Sequence, residues 1–229
     1  MPEKFDIKDI IAIGRTLDEY SRMFDLRFTQ LKGAAILDMG GGVSSFTAEA
    51  NELGLNVKSC DRIYGFSADE LEDKCVNDLG VMLKTLPPVR DNYRWDFYKD
   101  EGGLRAFREK AYRGFIEDYK KNRANRYIKS GLPYTVFTDK EFDITLVSHF
   151  LFLYDEHRDY NFHLDSIAEL IRITKEEIRI FPIMNLRWKK SEFVDKIMNE
   201  PAFGKCVFEV KKVDFEFIKG GNEYLSIKP

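Results

Sequence analysis

Two periods of apolar and polar positions interchange along this chain. Residues 34–39, Ala-Ala-Ile-Leu-Asp-Met, form a short apolar run that stops at three glycines, the pattern of a strand buried on both faces. Residues 43–54 then have helical composition and close on Gly54, a glycine suited to a helix C-terminus. Residues 56–61 give a second short strand. Strand, glycine turn, helix and strand together predict a right-handed parallel unit. Upstream, Ile10, Ile11, Leu17, Tyr20, Met23, Phe24 and Leu31 recur at mostly helical spacings, which predicts a helical segment over about 5–32, broken near Gly14.

Beyond Asp61 the pattern stays helical for much longer than the ~10 to 12 residues a minimal crossover needs. Residues of about 85–126 therefore read as a helical insertion. The α/β alternation resumes with a buried strand from Phe142 to about Val147, a helix within 162–173 and a strand within 176–183. The C-terminal stretch predicts two strands joined at Gly220-Gly221-Asn222, a turn signal between alternating apolar positions.

Composition narrows the class. A chain of 229 residues, 44% hydrophobic and 33% charged, suits one compact domain spanning 1–229. A formal charge of -3 provides no global field toward nucleic acid or an anionic membrane. Three widely spaced cysteines, Cys60, Cys75 and Cys206, suit reduced thiols rather than a disulfide framework. The first ten residues are charged where a signal peptide needs an apolar run, and no run of ~20 apolar residues occurs. These features predict a cytoplasmic protein with no membrane partner.

The chemistry concentrates at Asp38-Met39-Gly40-Gly41-Gly42. Glycines directly after a buried strand let the backbone turn tightly and approach a ligand, and the helix that follows offers free N–H groups. Asp61 falls at the carboxyl end of the neighbouring strand, where it can accept hydrogen bonds from both hydroxyls of a ribose. The bland alternatives are a simple strand-to-helix corner for the glycines, a carboxylate bonded to loop amides for Asp38 and a helix cap for Asp61.

With these residues in view, the chain resembles a class I S-adenosylmethionine-dependent methyltransferase. Ile-Leu-Asp-Met-Gly-Gly-Gly-Val-Ser-Ser resembles that family's glycine-rich first motif, Cys60-Asp61 its acidic second-strand end, and residues 132–154 its Leu-Pro-aromatic segment leading into Phe-Asp and a fourth strand. The resemblance implies an α/β, Rossmann-like, seven-stranded and mostly parallel sheet with an antiparallel last strand and helices on both faces; the helical insertion, placed between strands 2 and 3, is not explained by it. It implies S-adenosylmethionine as cofactor, S-adenosylhomocysteine as product, and methyl transfer by in-line displacement. Asp38, Gly40, Gly41, Gly42, Asp61, Arg62 and Ser148 become cofactor-binding candidates. Arg15 and Tyr20 join them, because in many relatives an N-terminal helix covers the cofactor as a lid. His149 and Tyr154, just after the fourth strand, are candidates for a catalytic base. The alternative for His149 is a packed histidine at a strand terminus, and for Arg15 a solvated arginine. The aromatic and basic insertion reads either as a lid over an acceptor pocket or as core packing.

The expected acceptor is a small molecule or peptide. Acids interleaved through the insertion, and Ser148-His149-Phe150-Leu151 in place of an Asn/Asp-Pro-Pro-aromatic signature, argue against nucleic acid. No metal site is predicted, because Asp155, Glu156 and His157 are adjacent and rarely converge on one ion. Two rival functions remain: an NAD-dependent oxidoreductase, and a non-catalytic nucleoside-binding module on the same fold.

Overall fold

A computed structural model describes residues 11–229. One seven-stranded sheet organises them: β1 (Ala35–Met39), β2 (Asn56–Cys60), β3 (Tyr127–Ile128), β4 (Phe142–Ser148), β5 (Thr174–Phe181), β6 (Val207–Lys212) and β7 (Glu223–Lys228). The spatial order is β3-β2-β1-β4-β5-β7-β6, and β7 alone runs against its neighbours. This is the expected seven-stranded, mostly parallel α/β sheet. Because β2 and β4 flank β1 on opposite sides, the chain reverses direction across the sheet there. The crevice at the carboxyl ends of β1 and β4 is the switch point where such sheets hold ligands.

Among the described residues six α-helices cover the two faces: α1 at Leu17–Met23, α2 at Phe46–Glu52, α3 at Ala68–Thr85, α4 at Glu101–Arg126, α5 at Tyr160–Ile173 and α6 at Glu192–Met198. The strand period of two assigns each side chain to a layer. Leu37 and Met39 of β1 pack with Ile167 and Leu170 of α5 and with Val194 and Ile197 of α6. Ile36 packs instead with Tyr20, Met23 and Phe46 of α1 and α2, and Asp38 shares that face. In β4, Ile144 and Leu146 also face α1, whereas Phe142 faces α5. The register irregularity between Phe142 and Ile144 accounts for that change of side.

Both α3 and α4 lie between β2 and β3, so the helical insertion stands where the sequence puts it. Half of its eight aromatic residues are core: Tyr98, Tyr112, Phe115 and Tyr119 are buried, while Tyr93, Trp95, Phe97 and Phe107 are half-exposed. Three details differ from the sequence reading. Helix α1 spans only 17–23, because Thr16 and Glu19 form a capping box and residues before it run extended; residues 5–10 of the expected segment lie outside the described residues. Strand β3 is two residues long and follows α4 without a loop. The C-terminal strands are joined by ten residues rather than by a tight glycine turn, since the loop detours to bridge Tyr93 with Ile218 and bring the Arg94 amide 2.7 Å from the Phe217 carbonyl. Among the described residues no helix is long and apolar enough to cross a membrane.

Two glycines should respond oppositely to a methyl group. A Cβ on Gly41 would stand 2.1 Å from Ser59 Oγ and 2.3 Å from Asp38 Oδ2, both held in the sheet. A Cβ on Gly80, inside α3, meets nothing within 4 Å. Urea unfolding of Gly41→Ala should therefore show a loss of about 2–4 kcal/mol. Gly80→Ala should gain up to about 1 kcal/mol from helix propensity.

Candidate functional site

The glycine turn is fixed from beneath. Facing α1, Asp38 is buried among apolar side chains and accepts a hydrogen bond from the Tyr20 hydroxyl at 2.9 Å. Its register partner Ser59 approaches the other carboxylate oxygen at 3.4 Å. Burial pushes the Asp38 carboxyl up to about 7, Tyr20 and Ser59 resisting and the Asp61 charge adding to the rise. Gly40 and Gly42 take positive φ values of 70° and 57°, which reverse the chain out of β1.

Asp61 sits directly after β2 and is half-buried. Its carboxylate accepts from the Gly42 amide and the Ile63 amide, each at 3.0 Å. Burial raises its pKa against the pull of those two amides. The helix-cap alternative is present in the structure: one oxygen caps the turn at 62–65, and the other ties down the glycine turn. Tyr64, one turn further, is 2.6 Å from the Ser59 hydroxyl and 2.9 Å from the Gly42 carbonyl, so the whole β1–β2 corner is cross-linked. Arg62 departs from the cluster. Its guanidinium donates to the Leu132 carbonyl at 2.8 Å and braces the loop before β4.

Across the turn lies the extended segment before α1. Gly14 packs so tightly on Val43 that a Cβ would fall 2.2 Å from the Val43 carbonyl oxygen. The Arg15 amide donates to Ser44 Oγ at 3.0 Å, and the Ser45 amide donates to the Arg15 carbonyl at 3.0 Å. The Arg15 side chain is mostly buried and donates to the carbonyls of Ile13 and Gly14, with Glu19 at 3.7 Å. Helix α1 then stacks Tyr20 flat on Phe46 of α2, ring centroids 4.2 Å apart.

What holds this segment down was missed in the sequence. Arg108 of α4, almost fully buried, donates to the Gly14 carbonyl and to the Glu19 carboxylate, and Tyr98 donates to the same carboxylate. Burial opposes ionisation of Glu19, but Arg108 and Arg15 outweigh it and hold the carboxyl below the ordinary range. The Thr16-Leu-Asp-Glu19 capping box was readable. Its arginine partner, 89 residues away, was not.

At the end of β4, Ser148 lies on the Asp38 face, and its Oγ is 2.9 Å from His149 Nδ1. His149 adopts φ 51°, pinned by its amide to the Phe181 carbonyl at 2.7 Å. Burial first, then the Arg15 and Arg108 charges, depress its pKa well below the usual imidazole range. Tyr154 is half-buried and lies in the field of Arg15. The structure thus places Asp38, Gly40, Gly41, Gly42, Asp61, Ser148 and His149 at the carboxyl ends of β1, β2 and β4, with Arg15 and Tyr20 on the segment and helix that meet the glycine turn and Asp38, and Tyr154 in the loop after β4. An imidazole kept neutral there orients a partner by hydrogen bonding more readily than it takes a proton. His163 bridges the Asp159 and Leu151 carbonyls in the core, and His157 is exposed.

Replacing Arg108 by Met leaves Glu19 charged and buried, so chemical unfolding should report a loss of about 3–5 kcal/mol; adding Glu19→Gln should recover part of it. Asp38 offers a pH test. Between its ordinary 3.8 and about 7 the folded protein holds a proton that the unfolded chain has released, so this group disfavours folding progressively as pH rises through that window. The stabilities of wild type and Asp38→Asn should differ least near pH 4. By pH 8 the variant should be the more stable in urea titrations.

No protein-family profile matches the sequence. The protein named Uncharacterized protein MJ0045, from Methanocaldococcus jannaschii, is 47% identical over 224 residues, which cover 97% of this chain and 98% of that one. Among solved structures, magnesium protoporphyrin IX methyltransferase from Synechocystis PCC 6803 with bound SAM aligns over 93% of this chain and 77% of its own, at 11% identity and TM-score 0.47. The 1,6-didemethyltoxoflavin-N1-methyltransferase of Burkholderia thailandensis, with bound 1,6-didemethyltoxoflavin and S-adenosylhomocysteine, aligns over 92% and 76%, at 13% identity and TM-score 0.46. The fold rests on the strand order and the reversed β7 rather than on those scores. By its sequence the chain belongs to one family with MJ0045, and by its sheet it has the class I S-adenosylmethionine-dependent methyltransferase fold.

Proposed function

We propose that this protein binds S-adenosylmethionine at the glycine turn and transfers its methyl group to a small-molecule or peptide acceptor. The observation that carries the reading is Asp61: a half-buried carboxylate tied to the Gly42 amide, at the switch point, with two of its roughly four lone-pair positions engaged and the rest available to sugar hydroxyls. The residues present fit such a cofactor. Space is open beside Gly42, where an added Cβ would meet nothing within 4 Å, and the Arg15 guanidinium offers a cation for a carboxylate tail.

When bound, the cofactor supplies an activated methyl on a sulfonium with a good leaving group. The chain's own residues then bind and orient. Asp61 and the Gly40–Gly42 backbone hold the nucleoside, Arg15 the charged tail, and Tyr20 with Asp38 the underside of the turn. Ser148 and His149 orient the acceptor beside the crevice, and Tyr154 limits its margin. The extended segment before α1, clamped by Arg108, excludes water.

Calorimetric titration with S-adenosylhomocysteine, S-adenosylmethionine and NADH tests the reading. The adenosyl pair should bind and NADH should not. Asp61→Ala should weaken S-adenosylhomocysteine by about tenfold to a hundredfold, on the scale of one to two hydrogen bonds to a charged group, with its folding checked by circular dichroism. Binding of NADH alone would move the protein to the oxidoreductases. Adenosyl binding without methyl uptake by any acceptor in a screen of metabolites and peptides would make it a non-catalytic module.

A further inference from the structure

The loops that leave β4 and β5 carry a second polar site on the same edge of the sheet. Asp155, in the loop after β4, has a side chain only 2% exposed. Its Oδ2 accepts from the Asn185 side-chain amide at 3.0 Å, and its Oδ1 has no hydrogen-bond partner. A buried carboxylate oxygen left unbonded costs free energy, so its retention calls for an explanation.

The surroundings are organised to keep it there. Asn185, also buried, accepts from the backbone amides of Arg187 and Lys189 at 3.0 and 3.3 Å, which fixes its NH2 group toward Asp155. The two loops are joined where the Leu186 amide donates to the Leu153 carbonyl at 3.1 Å. Among the described residues the cation that comes within 4 Å of these carboxylates is Arg187, whose guanidinium stops 3.7 Å from Asp155 Oδ1 and 3.4 Å from Glu156 while 53% of its side chain stays exposed. It shields two carboxylates without completing a hydrogen bond to the buried one, and the local charge is one negative in excess.

We propose that Asp155 Oδ1 anchors a cationic nitrogen group of the acceptor, an ammonium or amidinium, which reaches it by displacing the exposed Arg187 side chain. The site follows β4 and β5 at their carboxyl ends, on the same side as the glycine turn and Asp61, and Tyr154 adjoins it. This assigns the acceptor to the basic amines and treats the contact as an anchor rather than the methylated atom. It deepens the methyltransferase reading and rests on it for the word acceptor, whereas the cation site itself stands on the geometry above.

The probes are butylammonium and benzamidinium, with butanol and benzamide as their neutral counterparts, followed by the amide resonances of residues 153–156 and 185–189. Both cations should shift these resonances saturably, with and without S-adenosylhomocysteine, and the neutral compounds should not. Asp155→Asn, which keeps the shape and an acceptor for Asn185, should weaken both cations at least fivefold. Arg187→Ala alters an exposed side chain and should tighten them at least twofold, which keeps the test decisive should Asp155→Asn fail to fold. Equal shifts from charged and neutral probes, or no tightening in Arg187→Ala, overturn the proposal. Because S-adenosylhomocysteine is titrated separately, loss of cofactor binding and loss of cation binding are distinguishable.

Discussion

The carboxylate of Glu19 is the point on which this architecture turns. Buried and surrounded by Arg108, Tyr98, the Thr16 hydroxyl and the Thr16 amide, it joins two regions distant in the chain, residues 16–19 and 98–108. An ion this deeply withdrawn from water is tolerated only when its lone pairs are satisfied and a countercharge is near. Meeting that condition forces α1 to start at Thr16 and α4 to lie where Arg108 can reach. It also draws the backbone of residues 14 and 15 across the glycine turn. The position of the segment over the crevice is thus a consequence of electrostatic satisfaction as much as of apolar packing.

Beneath that layer the same logic appears in the period of the strands. Because side chains alternate, Asp38, Ser59 and Ser148 are all delivered to the face that also carries Ile36, Val57 and Leu146. On this otherwise apolar surface Asp38 accepts from the Tyr20 hydroxyl and meets Ser59, while Ser148 turns to His149. Burial nevertheless brings the Asp38 carboxyl up to about 7 against the pull of Tyr20 and Ser59, so its charge is only partly developed at neutral pH.

Legibility followed sequence separation. The run from Ala34 to Asp61 was readable because a strand, a turn and a helix each leave a local signature, and the two strands end where the apolar runs end. Phe142 to Val147 was readable for the same reason. Strand β3 was hidden because two residues have no period and the helix before it runs on without a breaker. The detour of residues 213–222 was hidden because its partner, the backbone around Tyr93 and Arg94, lies more than a hundred residues earlier. Glu19 could be seen as a cap and not as half of an ion pair, and Asn185 showed no local sign that it would meet Asp155. Arg62 neighbours Asp61 in sequence yet turns to the Leu132 carbonyl, since adjacent residues point to different sides of an extended chain.

Helix α4 has a mechanical consequence. Its 26 residues extend about 39 Å as one rod, with Arg108 in its first half and β3 continuing directly from its last residue. The arginine that secures the covering segment and the strand that borders Asp61 through the Ile128 carbonyl are therefore mounted on a single stiff beam. Tilting that beam would displace both walls of the crevice at once, so its two ends open or shut in concert.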